Sequence, residues 1–199
     1  MTANQRLTST SVALGMLLIC HLVPETAASG GAPGMHRVLA SPDEGSTPHT
    51  TPHIRVEDER LGDLLEFGRR RSPLLQSLID RLEQSDVVVY VRCDQRLRRG
   101  VAGNLSFVVM SAGTRYVLVR VGYVGDRLRQ IALVGHELRH GVEVADTPDI
   151  VDTPSFDRAY ARLGYINRLA STAGVIAFES DAAVDAGEQI FRELRNATE

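Results

Sequence analysis

The stretch from Asp126 to about Ala145 constrains this chain more than any other. Leu128, Ile131, Leu133, Val134, Leu138 and Val142 recur along it at helical spacing. That is enough apolar surface to bury a helix. The same stretch carries His136, Glu137 and His140, so two imidazoles and a carboxylate must enter the interior or the floor of a cleft.

Four residues turn a helix by about 400°, one turn plus about 40°, so His136 and His140 share a face. That spacing lets both rings reach one Zn²⁺. Glu137, beside the first ring, is placed to act on a water held by the metal. The chain has six histidines, and the only two after His53 fall in this motif. Gly135 costs the helix about 1 kcal/mol relative to Ala. Its place beside His136 suggests that another backbone, or a substrate strand, approaches closely there.

Length and composition narrow the remainder. The 199 residues suit one domain with a real core. Apolar residues make up 43% and aromatics only 5%, with no Trp, so Val, Leu, Ile and Ala must form that core. A net charge of −3 argues against a nucleic-acid partner. All 22 basic residues are Arg, which excludes a catalytic lysine. Cys20 and Cys93 are the only cysteines, and Cys20 lies in a removable N-terminal run, so no disulfide scaffold is expected. Cys93 reads as a small core residue.

Residues 1–29 read as a secretory signal: Arg6, an apolar run from Val12 to Val23, and small residues at Thr26-Ala27-Ala28-Ser29. The expected location is secreted or periplasmic, with an uncleaved membrane anchor as the alternative. Residues 30–54 are rich in Pro, Gly, Ser and Thr and read as a disordered linker. His36, His49 and His53 lie in it and read as solvated.

The folded domain should span 55–199. Residues 57–84 are expected to be helical, with Ser72-Pro73 as cap and first position. Strands are expected at 86–92, 104–110 and 115–121, the last two joined by a turn at Ser111-Ala112-Gly113-Thr114. The cluster Arg96, Arg98 and Arg99 falls in the preceding loop and reads as a solvated face. After the motif helix come a helix from Thr153-Pro154 to about Leu169 and another from about Ala173 to Leu194. The class is α+β: a small, mainly antiparallel sheet, then the motif helix and two more. Asn104-Leu105-Ser106 and Asn196-Ala197-Thr198 match glycosylation acceptors, relevant only in a eukaryotic host.

A zinc site needs a third protein ligand and an open position. Glu143 shares the face of His136, but seven residues rise about 10.5 Å along a helix. It therefore suits an outer role, orienting His140. Glu179, expected on the last helix, is the stronger candidate. Ala182 and Ala183 beside it would let that helix pack closely on the motif helix.

His136-Glu137-x-x-His140 with a later glutamate on a separate helix resembles the gluzincin group of zinc metallopeptidases. The resemblance covers roughly residues 86–194. It implies a zincin-like fold in which a small sheet precedes the motif helix and its edge strand holds an extended peptide substrate, a place that Arg115–Val121 occupies here. It also implies Zn²⁺ held by His136, His140 and Glu179, with Glu137 as general base for peptide hydrolysis. Two positions depart from the pattern: Arg139 is charged where the middle residues are usually uncharged, and Ala183 replaces an aspartate. Asp181 or Asp185 could substitute for that aspartate in supporting the first histidine. Tyr160 or Tyr165 could donate to the oxyanion. The competing reading is an inactive zincin-like metal-binding or interaction domain.

Overall fold

The computed structural model describes residues 18–19, 51–98, 100–168, 170–171 and 176–197. Most of the expected signal and linker, with Cys20, His36 and His49, therefore lies outside the described residues. So does Arg99. The elements run β1 (Leu18–Ile19), β2 (Ile54–Val56), α1 (Glu59–Arg69), α2 (Pro73–Glu83), β3 (Val87–Cys93), β4 (Gly103–Ser111), β5 (Thr114–Val121), α3 (Arg127–Ala145), α4 (Thr153–Leu163), β6 (Tyr165–Ile166), β7 (Ala177–Glu179) and α5 (Asp181–Asn196).

Local chemistry sets these boundaries. Ser72 caps α2 by accepting from the Leu75 N–H at 3.1 Å, and Pro73 needs no partner at the first position. Asp126 caps α3 through the Arg129 N–H at 2.8 Å. Asp152 and Ser155 form a reciprocal capping box at α4. The β4–β5 turn places Ala112 at φ 49 and Gly113 at φ 80, the pair of left-handed residues that a tight hairpin requires.

The class is α+β, as the sequence indicated, but the main sheet is not mainly antiparallel. Its order is β2-β3-β5-β4. The β2–β3 and β3–β5 pairs are parallel and only β4–β5 is antiparallel. The reason is topological. The α1–α2 pair forms the crossover between β2 and β3, and β4 passes to the outside so that β5 inserts beside β3. Strand β5 is consequently central, and the edge belongs to β4. A second, smaller sheet has the order β1-β7-β6, both pairs antiparallel.

Helix α3 packs across β3, β4 and β5 and against α1, α2 and α5. Val89, Val91, Leu105, Val117, Val119 and Val121 lie buried beneath it. From Gln130 to Val144 only Arg139 escapes full burial. The far end of α3 is held by Arg115, only 2% exposed. Its Nε and Nη2 donate to the two Asp86 carboxylate oxygens at 2.8 and 2.5 Å. Its Nη1 donates to the carbonyls of Val144 and Thr147 at 2.6 and 2.8 Å, and Nη2 reaches Ala145 at 3.3 Å. Val144 and Ala145 belong to the last turn of α3, whose carbonyls lack helical i+4 donors, and Thr147 lies just beyond it.

Several expectations need correction. Helix α4 stops at Leu163, where Gly164 lets the chain turn into β6; a Cβ there would strike the Glu179 carbonyl. The last helix starts at Asp181, not near Ala173, because Ser180 is its cap. His53 is half-buried and tied down rather than free in a linker: its carbonyl accepts from Val89 N–H, and its Nδ1 lies 3.2 Å from the Leu82 carbonyl. Cys93 is exposed, because it occupies the last position of β3, where the ladder ends. Asn104 is wholly buried, which rules out a glycan on it in the folded chain. Among the described residues no helix is long and apolar enough to cross a membrane.

Candidate metal centre

His136 and His140 project from one face of α3 and both are fully buried. Glu179 reaches them from outside the helix, though not from the last helix as expected. It ends β7, immediately before the Ser180 cap of α5. The β6–β7 ladder pairs Tyr165 with Glu179 and Ile166 with Phe178, which fixes the direction of the glutamate. Its Oε1 lies 3.4 Å from His136 Nε2 and 3.3 Å from His140 Nε2.

Those spacings are long for a charge-assisted hydrogen bond, which closes to about 2.7–2.9 Å. They fit another arrangement. Ligand atoms about 2.0–2.1 Å from a tetrahedral zinc are separated by about 3.3 Å. One donor atom from each of the three residues lies within 4.8 Å of the others. Both His136 nitrogens, His140 Nε2 and Glu179 Oε2 are buried without a hydrogen-bond partner. A set of two nitrogens and one carboxylate oxygen suits a divalent ion such as zinc, and the orphaned atoms give it a reason to bind.

The two histidines are supported unequally. His140 Nδ1 lies 2.8 Å from Glu143 Oε2, and Ser180 Oγ donates to Glu143 Oε1 at 2.6 Å. Ser180 Oγ also accepts the Ala183 N–H at 3.1 Å. One hydroxyl thus caps α5 and braces the carboxylate that orients His140, the outer role expected for Glu143. Ser180 was not singled out from the sequence, although its place just before a helix was a readable cap signal. His136 Nδ1 has no such support from Asp181, Asp185 or any other described residue.

Without an ion the charges follow these contacts. Burial opposes a charged His140, but hydrogen bonds to Glu143 and Glu179 raise it to about 10. Burial likewise opposes ionised Glu179, and the two imidazoles bring it down to about 2. His136 is lowered, first by burial. Glu143 stays below the usual carboxylate range despite its burial, because His140 and Ser180 hydrogen-bond to it.

Glu137 lies beside this cluster, fully buried, with neither carboxylate oxygen hydrogen-bonded. Burial pushes its pKa well above the usual carboxylate range. Edge strand β4 passes over it at Gly103, where a Cβ would sit 2.6 Å from Glu137 Oε1. Gly103, not Gly135, is the glycine that brings the sheet edge to the motif. A Cβ at Gly135 would run into the Ile190 side chain of α5, so that glycine serves helix packing.

Of the two tyrosines considered, Tyr160 is committed elsewhere: it is buried and its hydroxyl donates to the His140 carbonyl at 3.1 Å. Tyr165 is half-exposed and lies in β6, beyond the helix on which it was expected. Directly paired antiparallel residues direct their side chains to the same face, so Tyr165 and Glu179 share one. Tyr165 also lines a cavity of about 300 Å³ with Arg139, Glu143, Leu163, Ser180 and Asp181. Arg139 therefore borders this cavity and is not among the converging ligand atoms.

No protein-family model, no curated protein and no solved structure matches the chain.

Proposed function

We propose that this protein is a zinc-dependent peptide hydrolase. The convergence of His136, His140 and Glu179, with Glu179 Oε1 3.3–3.4 Å from both imidazole nitrogens and an unpartnered Glu137 beside them, carries this reading. Bound at those three side chains, zinc supplies Lewis acidity to a water and to a peptide carbonyl. Glu137, as the carboxylate, takes the proton from the attacking water and delivers it to the departing amine. Water adds to the carbonyl carbon, the C–N bond breaks, and the products are a carboxylic acid and an amine. Tyr165 is our choice of donor to the carbonyl oxygen as it gains charge. An extended peptide adds along edge strand β4, which ends the main sheet over Glu137.

The competing reading is a metal-binding domain without turnover. It is favoured by the zero exposure of Glu137, His136 and His140, a closed arrangement that substrate must open. The exported location rests on the N-terminal sequence pattern alone.

Purified protein loaded with zinc should bind one ion and cleave denatured casein. Glu137→Gln should keep the ion and lose roughly 10²–10⁴-fold in rate. Unchanged hydrolysis in that variant overturns the role of Glu137. Zinc binding with no hydrolysis in the parent selects the second reading, and failure to bind zinc ends both.

A further inference from the structure

The outer face of the main sheet, turned away from α3, carries a polar row that the metal centre does not use. Arg120 of β5 is register partner to Arg92 of β3 on one side and to Asn104 of β4 on the other. Side chains alternate along a strand, and paired residues share a face. Val119 and Val121 are buried toward α3, so Arg120 and its two partners occupy the opposite face.

The row is electrostatically incomplete. Like charges directly opposite on neighbouring strands repel, yet Arg92 stands beside Arg120. Among the described residues the one carboxylate paired with Arg120 is Asp94, whose Oδ2 is 3.7 Å from Nη1. The other Asp94 oxygen is already taken by the Arg96 N–H at 2.9 Å. Arg98 adds a further positive charge within electrostatic range. Loss of water and the neighbouring arginines pull Arg120 below the usual arginine range, against the attraction of Asp94.

Two buried groups lack hydrogen-bond partners among the described residues. Arg120 Nε is buried and makes no hydrogen bond. Asn104 is 0% exposed, and neither its amide oxygen nor its amide nitrogen has a partner. A buried amide left unpaired costs about 1–3 kcal/mol, and native structures leave few such groups without a reason. Of these atoms the two donors, Arg120 Nε–H and the Asn104 amide N–H, together fit an oxyanion, and the amide oxygen, an acceptor, plays no part in that fit.

We infer that Arg92, Arg120 and Asn104 form a binding site for a small oxyanion, a phosphoryl or carboxylate group, on the sheet face opposite the metal centre. The guanidinium of Arg120 and the amide nitrogen of Asn104 donate to it, and its charge relieves the repulsion between Arg92 and Arg120. The site is independent of the hydrolase reading, since no metal ligand belongs to it.

The test is calorimetric titration of the zinc-loaded full chain with inorganic phosphate and, separately, acetate, at matched ionic strength with chloride. Saturable binding of either anion, weakened at least about tenfold by Arg92→Gln and by Asn104→Leu, supports the site. Tighter phosphate binding assigns a phosphoryl source, and tighter acetate binding a carboxylate source. At saturation the parent should also gain roughly 5 °C in Tm, and the variants should not. No saturable binding of either anion below roughly 10 mM overturns the inference. So does binding that survives Arg92→Gln unchanged, and that variant, at a half-buried position, keeps the test open if Asn104→Leu fails to fold.

Discussion

Helix α3 meets two buried polar clusters, and they differ in one respect. At its C-terminal end Arg115 reaches the Asp86 carboxylate and the carbonyls of Val144, Ala145 and Thr147. In its middle, His136, Glu137, His140 and Glu179 leave six side-chain atoms buried without partners. The first cluster is complete as built, so its role is to hold the helix. The second leaves hydrogen-bonding capacity unmet among the described residues. Buried polar residues alone would not separate the two; the unmet hydrogen-bonding capacity does.

The sharpest way to break that contrast is Glu179→Ala. Zinc affinity should fall by at least about 10³-fold, beyond the 10–100-fold typical of outer partners, as measured by competition with a chromogenic chelator. A smaller loss would move the third ligand elsewhere. Arg115→Ala should show the opposite profile. It removes the buried guanidinium and leaves the Val144, Ala145 and Thr147 carbonyls and the Asp86 carboxylate without their donor, at about 1–3 kcal/mol of unfolding free energy in urea. Zinc stoichiometry of the folded fraction should stay intact, and loss of zinc from that fraction would show that the two clusters are not separable. Glu143→Gln is intermediate: zinc should bind about 10–100-fold more weakly as the brace on His140 slackens, with Tm in chelator nearly unchanged.

The smallest effect concerns pH. The Arg115 hydrogen bond holds Asp86 below its ordinary 3.8. Its contribution is therefore fully present above that value and is lost as pH falls through the lower folded value. Because the Asp86 side chain is 46% exposed, the effect should stay under about 1 kcal/mol. Urea unfolding should show Asp86→Asn costing stability at pH 5 and less at pH 3. An equal cost at both would remove charge from the account of this pair.

Elements with strong periodicity or clear caps were legible in the sequence. The motif helix, the Ser72 cap and the strands around Ser111–Thr114 fall where side-chain chemistry put them. Sheet direction was not legible, because the apolar alternation of 115–121 reads the same in a parallel or an antiparallel ladder. Nor was the end of α4 at Leu163, which depends on the close passage of Gly164 under Glu179, a contact of long sequence range. Glu179 itself was readable as the residue able to meet both imidazoles, but its setting was not. A three-residue strand has too short a pattern to stand out beside the sixteen-residue helix that follows it. The covering role of Gly103 and the orphaned amide of Asn104 required the fold.

Ser180 makes the Glu179 junction recognisable in other chains. Its hydroxyl serves the helix cap and the Glu143 brace at once, so substituting Ser180 itself removes both. The useful fingerprint is therefore longer than two histidines and a glutamate. It is His-Glu-x-x-His-x-x-Glu, followed at a distance by Glu-Ser at a strand-to-helix junction. A chain carrying both halves has the parts for the same brace, however little of the intervening sequence it shares.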